Sequence, residues 1–248
     1  MNLLVKQLGR AILPEQYQPR FYKSYKKLYY FGLRYYCPIC QSHLRQFLPF
    51  RRRLNARCPV CSSLERHRLS WLFMLQCTDL FSSQRKKMLH VAPETCLTKI
   101  FQTCPSIDYV TADLRPYAML QMDLTQIPFP TETFDVIHAS HILEHISADR
   151  QAMCELFRVL KRGGWAVLQV PIKAEITFED ATIIDSQARE QAFGHKDHVR
   201  FYGKDYYSRL SEAGFIVKPK KLPAQLNPAT ARKFSLNSHE DIAFCTKF

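Results

Sequence analysis

The sequence predicts an α/β protein, a mostly parallel sheet with helices on both faces, preceded by a small cysteine-bounded module. Three observations carry this. Residues 122–172 read as strand, turn, helix, turn and strand in unbroken order. Residues 87–113 show the same alternation and end in an acid, Asp113. Ahead of both, Cys37-Pro-Ile-Cys40 and Cys58-Pro-Val-Cys61 form two C-x2-C pairs separated by seventeen residues.

The chain divides into four segments: a basic aromatic helical stretch over 1–36, a ribbon over 37–63, a linker helix over 64–84 and the α/β domain over 85–248. The first segment breaks at Pro14 and Pro19, and between Tyr22 and Tyr36 it mixes Lys and Arg with seven aromatic residues. Such a mixture suits base stacking with phosphate neutralisation or an amphipathic helix on an anionic surface. The reading preferred here is a helix packing its Tyr/Phe face on the main domain, since aromatic rings are ordinary packing material.

Two residues between thiols let one tight turn aim both sulfurs at one ion, and two such turns supply the closed tetrahedral set of a structural Zn2+ site. Cys37, Cys40, Cys58 and Cys61 are therefore the predicted metal ligands. The remaining five cysteines are an odd number and read as reduced thiols. Arg51-Arg52-Arg53, flanked by Arg45 and Arg57, lies between the pairs as a phosphate-contacting candidate. Charge is concentrated here: residues 1–90 hold seventeen Lys/Arg against three acids, a net +14, while residues 91–248 hold eighteen against nineteen, a net −1. The front third is thus expected to meet RNA or another anionic surface, although a solvated face has the same composition. Lys6 and Arg10 interrupt the opening stretch, which lacks a secretory core, and no run of eighteen uncharged apolar residues exists. A cytoplasmic protein without a transmembrane segment is expected.

Leu64 to Cys77 reads as a helix with a Leu69, Leu72, Phe73 and Gln76 stripe. Lys87 to Val91 is the first strand of the domain, and Leu97, Ile100, Phe101 and Cys104 recur at helical spacing after it. Ile107 to Thr111 is the second strand. This order is the nucleotide-binding half of a Rossmann-like sheet, and Asp113, nineteen residues beyond Glu94, sits where an acid reaches ribose hydroxyls. Phe134 to Ala139 is an apolar β-branched run suited to a strand covered on both faces. Ser147 is the expected cap of a helix carrying Met153, Leu156, Phe157 and Leu160. Gly163 and Gly164 are expected to end it, with Lys161 and Arg162 at its negative end. Trp165 to Ile172 is the next buried strand. A helix with Tyr206, Leu210 and Ala213 stops at Gly214, FIVKP follows as a strand, and Ile242 to Thr246 is the last. Residues 219–238 yield no reading.

The motifs of this second half, Asp123, Pro128-Phe129-Pro130, Phe134-Asp135-Val136-Ile137, His141 to His145 and Arg158 to Gly164, come in a fixed order. The block resembles a class I S-adenosylmethionine-dependent methyltransferase domain of the methyltransferase type 11 kind. The resemblance implies a seven-stranded Rossmann-like sheet, S-adenosyl-L-methionine as cofactor and in-line methyl transfer. It places Asp113 on the ribose, Asp123 and the backbone of Leu124 on the adenine, and Met122, Leu124 and Leu114 around them. Ser140 and His141 follow the fourth strand at the binding edge, with His141 the candidate base. His141, Glu144 and His145 are read as structural, not as a second metal set. The first motif departs from the family: His90-Val91-Ala92-Pro93-Glu94 has no glycine. Small Ala92 is expected to permit close approach, and Glu94 to meet the methionine ammonium. The run Asp197-His198-Val199-Arg200-Phe201-Tyr202-Gly203 recurs in similar sequences, and His198, Arg200 and Tyr202 are the substrate candidates. The acceptor reads as a small molecule or glycan, or as RNA. The rival from another class is a non-catalytic zinc-ribbon adaptor or nucleic-acid-binding protein with a vestigial domain. Asp113 and Asp123, both in place, favour the enzyme.

Overall fold

A computed structural model describes residues 14, 16–237 and 240–248, so the opening stretch read as non-secretory lies outside the described residues. The chain forms two compact units, one from 1–77 with 222–239 and one from 78–221 with 240–248. No described helix is long and apolar enough to cross a membrane.

In the front unit, α1 (Gln18–Tyr29) has proline in its first turn and buries no residue fully. It is tied to the ribbon: Arg45 N–H donates to the Tyr30 carbonyl at 2.8 Å, and the Arg45 guanidinium lies over the Tyr29 ring. The ribbon is two antiparallel hairpins, β1 (Tyr35–Cys37) with β2 (Ser42–Leu44) and β3 (Leu48–Phe50) with β4 (Arg53–Arg57). α2 (Glu65–Cys77) buries Leu69, Leu72 and Phe73 as expected, whereas Gln76 is exposed. At its centre Arg68 is wholly buried and donates to four backbone carbonyls, those of Ala56, Ser63, Phe234 and Ser235, at 2.7–3.1 Å.

The second unit holds β5 (Lys86–Val91), α3 (Thr95–Gln102), β6 (Ile107–Asp113), β7 (Leu120–Gln121), β8 (Phe134–Ser140), α4 (Asp149–Val159) and β9 (Leu160–Gln169). An insert follows: β10 (Ile172–Ala174), β11 (Phe178–Glu179), α5 (Ser186–Phe193) and β12 (Arg200–Gly203) form a small three-stranded sheet with its helix. Then come α6 (Tyr206–Glu212) and β13 (Ile216–Lys220). α7 (Leu222–Gln225) and α8 (Pro228–Lys233), which lie in the stretch that gave no reading, belong to the front unit. β14 (Ile242–Thr246) returns to the main sheet.

That sheet has seven strands in the order β13-β14-β9-β8-β5-β6-β7. β5 to β9 are parallel, while β14 is antiparallel to β9 and β13. Met88, Leu89, Phe134, Val136, Ile137 and Val167 are wholly buried, as strands covered by helices on both faces require. Asp135 locks the central strands together, accepting from Lys87 N–H on β5 at 2.8 Å and from Lys161 Nζ on β9 at 2.9 Å.

Two expectations for α4 are corrected. Ser147 does not cap it: the cap position is Ala148 and no side chain supplies the bond. The Ser147 carbonyl is instead held by Arg200 at 2.8 Å. Nor do Gly163 and Gly164 end the helix. It stops at Val159, and both glycines lie inside β9, where Gly163 (φ 74°) donates to the Lys247 carbonyl. The cation at the helix's carbonyl end is also Lys247, whose buried Nζ reaches the Phe157 and Leu160 carbonyls at 3.1 and 2.8 Å. Lys161 is spent on Asp135.

The two tryptophans lie one in each unit, Trp71 in α2 and Trp165 in β9, so fluorescence of single-tryptophan variants (Trp165→Phe or Trp71→Phe) follows each unit's unfolding separately. Arg68→Met keeps side-chain bulk but leaves four backbone carbonyls without their donor, and should cost the front unit about 3 kcal/mol. Denaturant titration should show the Trp71 transition moving to lower concentration with little change at Trp165.

Candidate functional site

Parallel strands put their carboxyl ends on one edge, and ligands of open α/β sheets bind there. On that edge a cleft of about 560 Å³ is lined by Val91 and Ala92 after β5, Asp113 to Arg115 and Tyr117 after β6, and Met122 to Leu124 after β7. His141, Ile142, His145 and Ile146 follow β8, and Asp197 comes from the insert. Of the residues read as cofactor contacts, Ala92, Asp113, Leu114, Met122, Asp123 and Leu124 come together at this cleft, and so does His141.

Met122 and Leu124 are buried and give the cleft an apolar floor, while Leu114 and Tyr117 stand exposed at its rim. Asp113 accepts Arg115 N–H at Oδ1 (2.8 Å), which fixes its rotamer, and Oδ2 makes no hydrogen bond among the described residues. Asp123 is built the same way: Oδ1 takes both the N–H and the hydroxyl of Thr125 at 2.8 Å. Each aspartate is thus oriented through one oxygen and can accept from a ligand with the other.

Glu94 does not line the cleft. Its Oε2 accepts from His90 Nε2 at 2.5 Å and lies 3.6 Å from His138 Nε2. Both histidines are wholly buried, and His90 Nδ1 is 2.7 Å from the Tyr109 hydroxyl. The bonds assign a neutral ring that takes the Tyr109 O–H at Nδ1 and donates Nε2–H to Glu94. Burial lowers His90, consistent with that form. Burial alone would raise Glu94, yet the two histidines hold it well below the carboxylate range. This anchor fixes the glycine-free turn, where Ala92 takes φ 46°, a left-handed backbone, and donates N–H to the Ala112 carbonyl at 2.7 Å. Holding an alanine there costs about 1–2 kcal/mol, borne by the anchored loop.

Ser140 is buried behind the cleft, its hydroxyl without a partner among the described residues. His141 also has a left-handed backbone (φ 59°), and its Nδ1 lies 3.2 Å from Oε1 of buried Glu144. The carboxylate orients the ring, and Nε2 is buried without a hydrogen-bond partner among the described residues. Burial raises Glu144, but the bond to and charge of His141 outweigh it and lower its pKa. The i, i+3 spacing of His141 and Glu144 was the available sequence signal for this pair.

Among the substrate candidates, Arg200 and Tyr202 are buried in the scaffold and do not line the cleft. Arg200 donates to the Leu143, Ile146 and Ser147 carbonyls and pairs with Glu179 at 2.7 Å. It thereby clamps the short 3-10 turn Leu143–His145. The Tyr202 hydroxyl donates to Asp149 Oδ2 at 2.6 Å. His198 is half-buried, and burial pushes its pKa down to about 4. It packs against His145 and His195, a grouping that sequence spacing does not reveal.

In the front unit the four predicted cysteine sulfurs lie within 4.8 Å of one another, with Cys37 and Cys61 at 3.6 Å and Cys40 and Cys58 at 3.7 Å. A tetrahedron with metal–sulfur bonds of about 2.3 Å has edges of about 3.8 Å, and the two shortest separations match such edges. Each pair is followed by a left-handed residue, Gln41 (φ 51°) and Ser62 (φ 63°), which turns the chain back past the sulfurs.

Because the folded pKa of Glu94 lies below its unfolded value of about 4.3, its contribution is complete above that pH and disappears as pH falls through the folded value. Glu94→Gln should cost about 2 kcal/mol near neutrality. Urea titrations following Trp165 should show the gap between variant and native protein closing below about pH 4.

Residues 88–168 match the family model of a methyltransferase domain. Among solved structures the chain is similar to the [4+2]-cyclase SpnF, with 16% identity and a TM-score of 0.50 over 73% of this chain and 80% of that one. It is also similar to a putative S-adenosylmethionine-dependent methyltransferase from Listeria monocytogenes, at 14% identity and TM-score 0.48 over 72% and 96% of the two chains. A third is an S-adenosylmethionine-dependent methyltransferase from Archaeoglobus fulgidus, at 12% identity and TM-score 0.47 over 72% and 93%. No curated protein matches the chain. The matched segment and the strand order, five parallel strands closed by an antiparallel hairpin, give the α/β unit the Rossmann-like fold of methyltransferases.

Proposed function

We propose that this protein is an S-adenosylmethionine-dependent methyltransferase whose front unit is organised by a structural Zn2+. The observation that carries the reading is the pair of aspartates at the carboxyl edge, each oriented through one oxygen beside a buried apolar floor. Bound in the cleft, the cofactor supplies an electrophilic methyl group on a sulfonium. Asp113 accepts from the ribose hydroxyls, Asp123 and the Leu124 backbone meet the adenine amino edge, and Met122 and Leu124 pack its face. Ala92 lets the methionine portion approach the turn. Glu94, engaged with His90, acts toward it through charge and not as a direct ligand. Ser140 supplies a buried hydroxyl behind His141. His141, oriented by Glu144, takes the proton from an acceptor hydroxyl or ring nitrogen placed in line behind the methyl group.

The acceptor is a small molecule or glycan, or RNA. The exposed run Arg51-Arg52-Arg53 at the β3–β4 turn supports the RNA version. Phosphate contacts would make binding to RNA fall steeply with added salt, and negligible binding at low salt would remove that version.

Calorimetric titration of the zinc-loaded protein with S-adenosylmethionine and S-adenosylhomocysteine is the test. Micromolar binding that weakens at least a hundredfold in Asp113→Ala is expected. No binding by the folded native chain would refute the enzyme and leave the zinc-ribbon adaptor.

For the metal, a chelator should strip the Zn2+ held by the four cysteines and unfold the front unit, as folding and metal binding are linked. Cys58→Ser should reproduce this loss, read as a shifted Trp71 emission with the Trp165 transition retained.

A further inference from the structure

Three histidines meet beside the cleft, outside the groups that the cofactor reading uses. His145 ends the 3-10 turn after β8, while His195 and His198 lie in the loop between α5 and β12. One ring nitrogen of each lies within 4.8 Å of the others. Ring centroids are 4.6 Å apart for His145 and His198, 4.8 Å for His195 and His198, and 5.7 Å for His145 and His195. The His145 ring meets both of the others edge to face.

The two segments are held together independently of the rings. Val199 N–H donates to the Glu144 carbonyl at 3.0 Å, and Arg200 clamps the turn from below. His145 Nδ1 donates to the Asp197 carbonyl at 3.0 Å. This is the outer contact that metal-bound histidines make: it fixes the tautomer and leaves the Nε2 lone pair for an ion. His195 takes Asp197 N–H at Nδ1 across a longer 3.2 Å, a bond that coordination can replace. Glu144, 1% exposed and adjacent in sequence to His145, supplies negative charge behind the rings. Lys173, the nearby cation, directs its Nζ to the Phe193 carbonyl. His145 and Asp197 also line the cleft, so the cluster opens toward the bound cofactor's side of the domain.

We propose that His145, His195 and His198 hold a divalent first-row transition ion, with zinc the expected occupant, whose open fourth position faces the cleft and takes an oxygen or nitrogen of the methyl acceptor. Three neutral nitrogens select such an ion over Mg2+ or Ca2+, which need oxygen ligands. Three protein ligands with one open position distinguish this site from the closed cysteine set. With metal–nitrogen bonds of about 2.0–2.1 Å the nitrogens stand about 3.4 Å apart, inside the 4.8 Å within which they already lie. The buried trio His90, Glu94 and His138 also clusters, but Glu94 is already engaged by His90 at 2.5 Å and none of the three lines the cleft. The acceptor's place on the ion rests on the methyltransferase reading; the metal site itself does not.

The test uses the full chain with its cysteine site filled, titrated with Co2+ and Zn2+ and assayed for metal content. Two ions per chain are expected. Co2+ at the second site should give visible d–d bands without the near-ultraviolet thiolate charge transfer of the cysteine site. His195→Ala should lose the second ion, with at least a tenfold drop in Co2+ affinity, while keeping the first ion, which also reports that the variant is folded. His198→Ala should do the same. A native chain that holds one ion at up to millimolar Co2+, or a second ion unaffected by both variants, would overturn the site. Two ions together with failure to bind S-adenosylmethionine would uphold the site and refute the methyltransferase reading. Cofactor binding with one ion would do the reverse.

Discussion

The site depends on one largely buried carboxylate. Glu94 sits between His90 of β5 and His138 of β8 and remains ionised there. A charge so enclosed is tolerated only while its partners stay in reach. The pairing therefore holds the carboxyl ends of the two central strands at fixed separation and ties the turn after β5 to both. That turn has no glycine, yet Ala92 occupies a left-handed conformation in it. Buried hydrogen bonds thus impose a backbone geometry that a glycine would have permitted without them. The cleft's rear wall is consequently stiff at the point where a flexible loop would be expected.

The same logic recurs with opposite sign elsewhere. Arg68, Arg200 and Lys247 are all buried, and each spends its donors chiefly on backbone carbonyls. Arg68 joins α2 to the ribbon and to the residues after α8. Arg200 fixes the turn bearing His145. Lys247 completes the carbonyl end of α4. In each case a cation satisfies carbonyls at an irregular junction where no ladder can reach them. Acids align the cleft edge and cations close the joints around it.

Sequence periodicity revealed the strands well because their burial is local in character. Phe134 to Ser140 and Trp165 to Gln169 are mostly apolar and buried on both faces, as a sheet interior requires. The cysteine pairs were legible for a similar reason: a two-residue spacer is itself the geometry. What escaped was set by partners distant in sequence. The cation ending α4 comes from Lys247, nearly ninety residues away, so Lys161 and Arg162 were the natural but incorrect choice. Ser147 had the right chemistry for a cap, but Arg200 claims its carbonyl from across the insert. Arg200 and Tyr202 had the polarity of ligand contacts, and only burial reveals that Asp149, Glu179 and the turn carbonyls consume them. His145 meets His195 and His198 through tertiary packing alone.

The division of residues 222–248 carries a consequence for biosynthesis. α7 and α8 complete the front unit, and β14, only a few residues later, inserts between β13 and β9 in the main sheet. Until β14 arrives, β9 is an open edge with unpaired backbone groups and a hydrophobic flank. On the ribosome, therefore, neither unit can close when its first segments emerge, and both wait for the same short stretch. Nascent chains would carry an open ribbon and an open sheet together, and the two would close almost at once when residues 222–248 emerge.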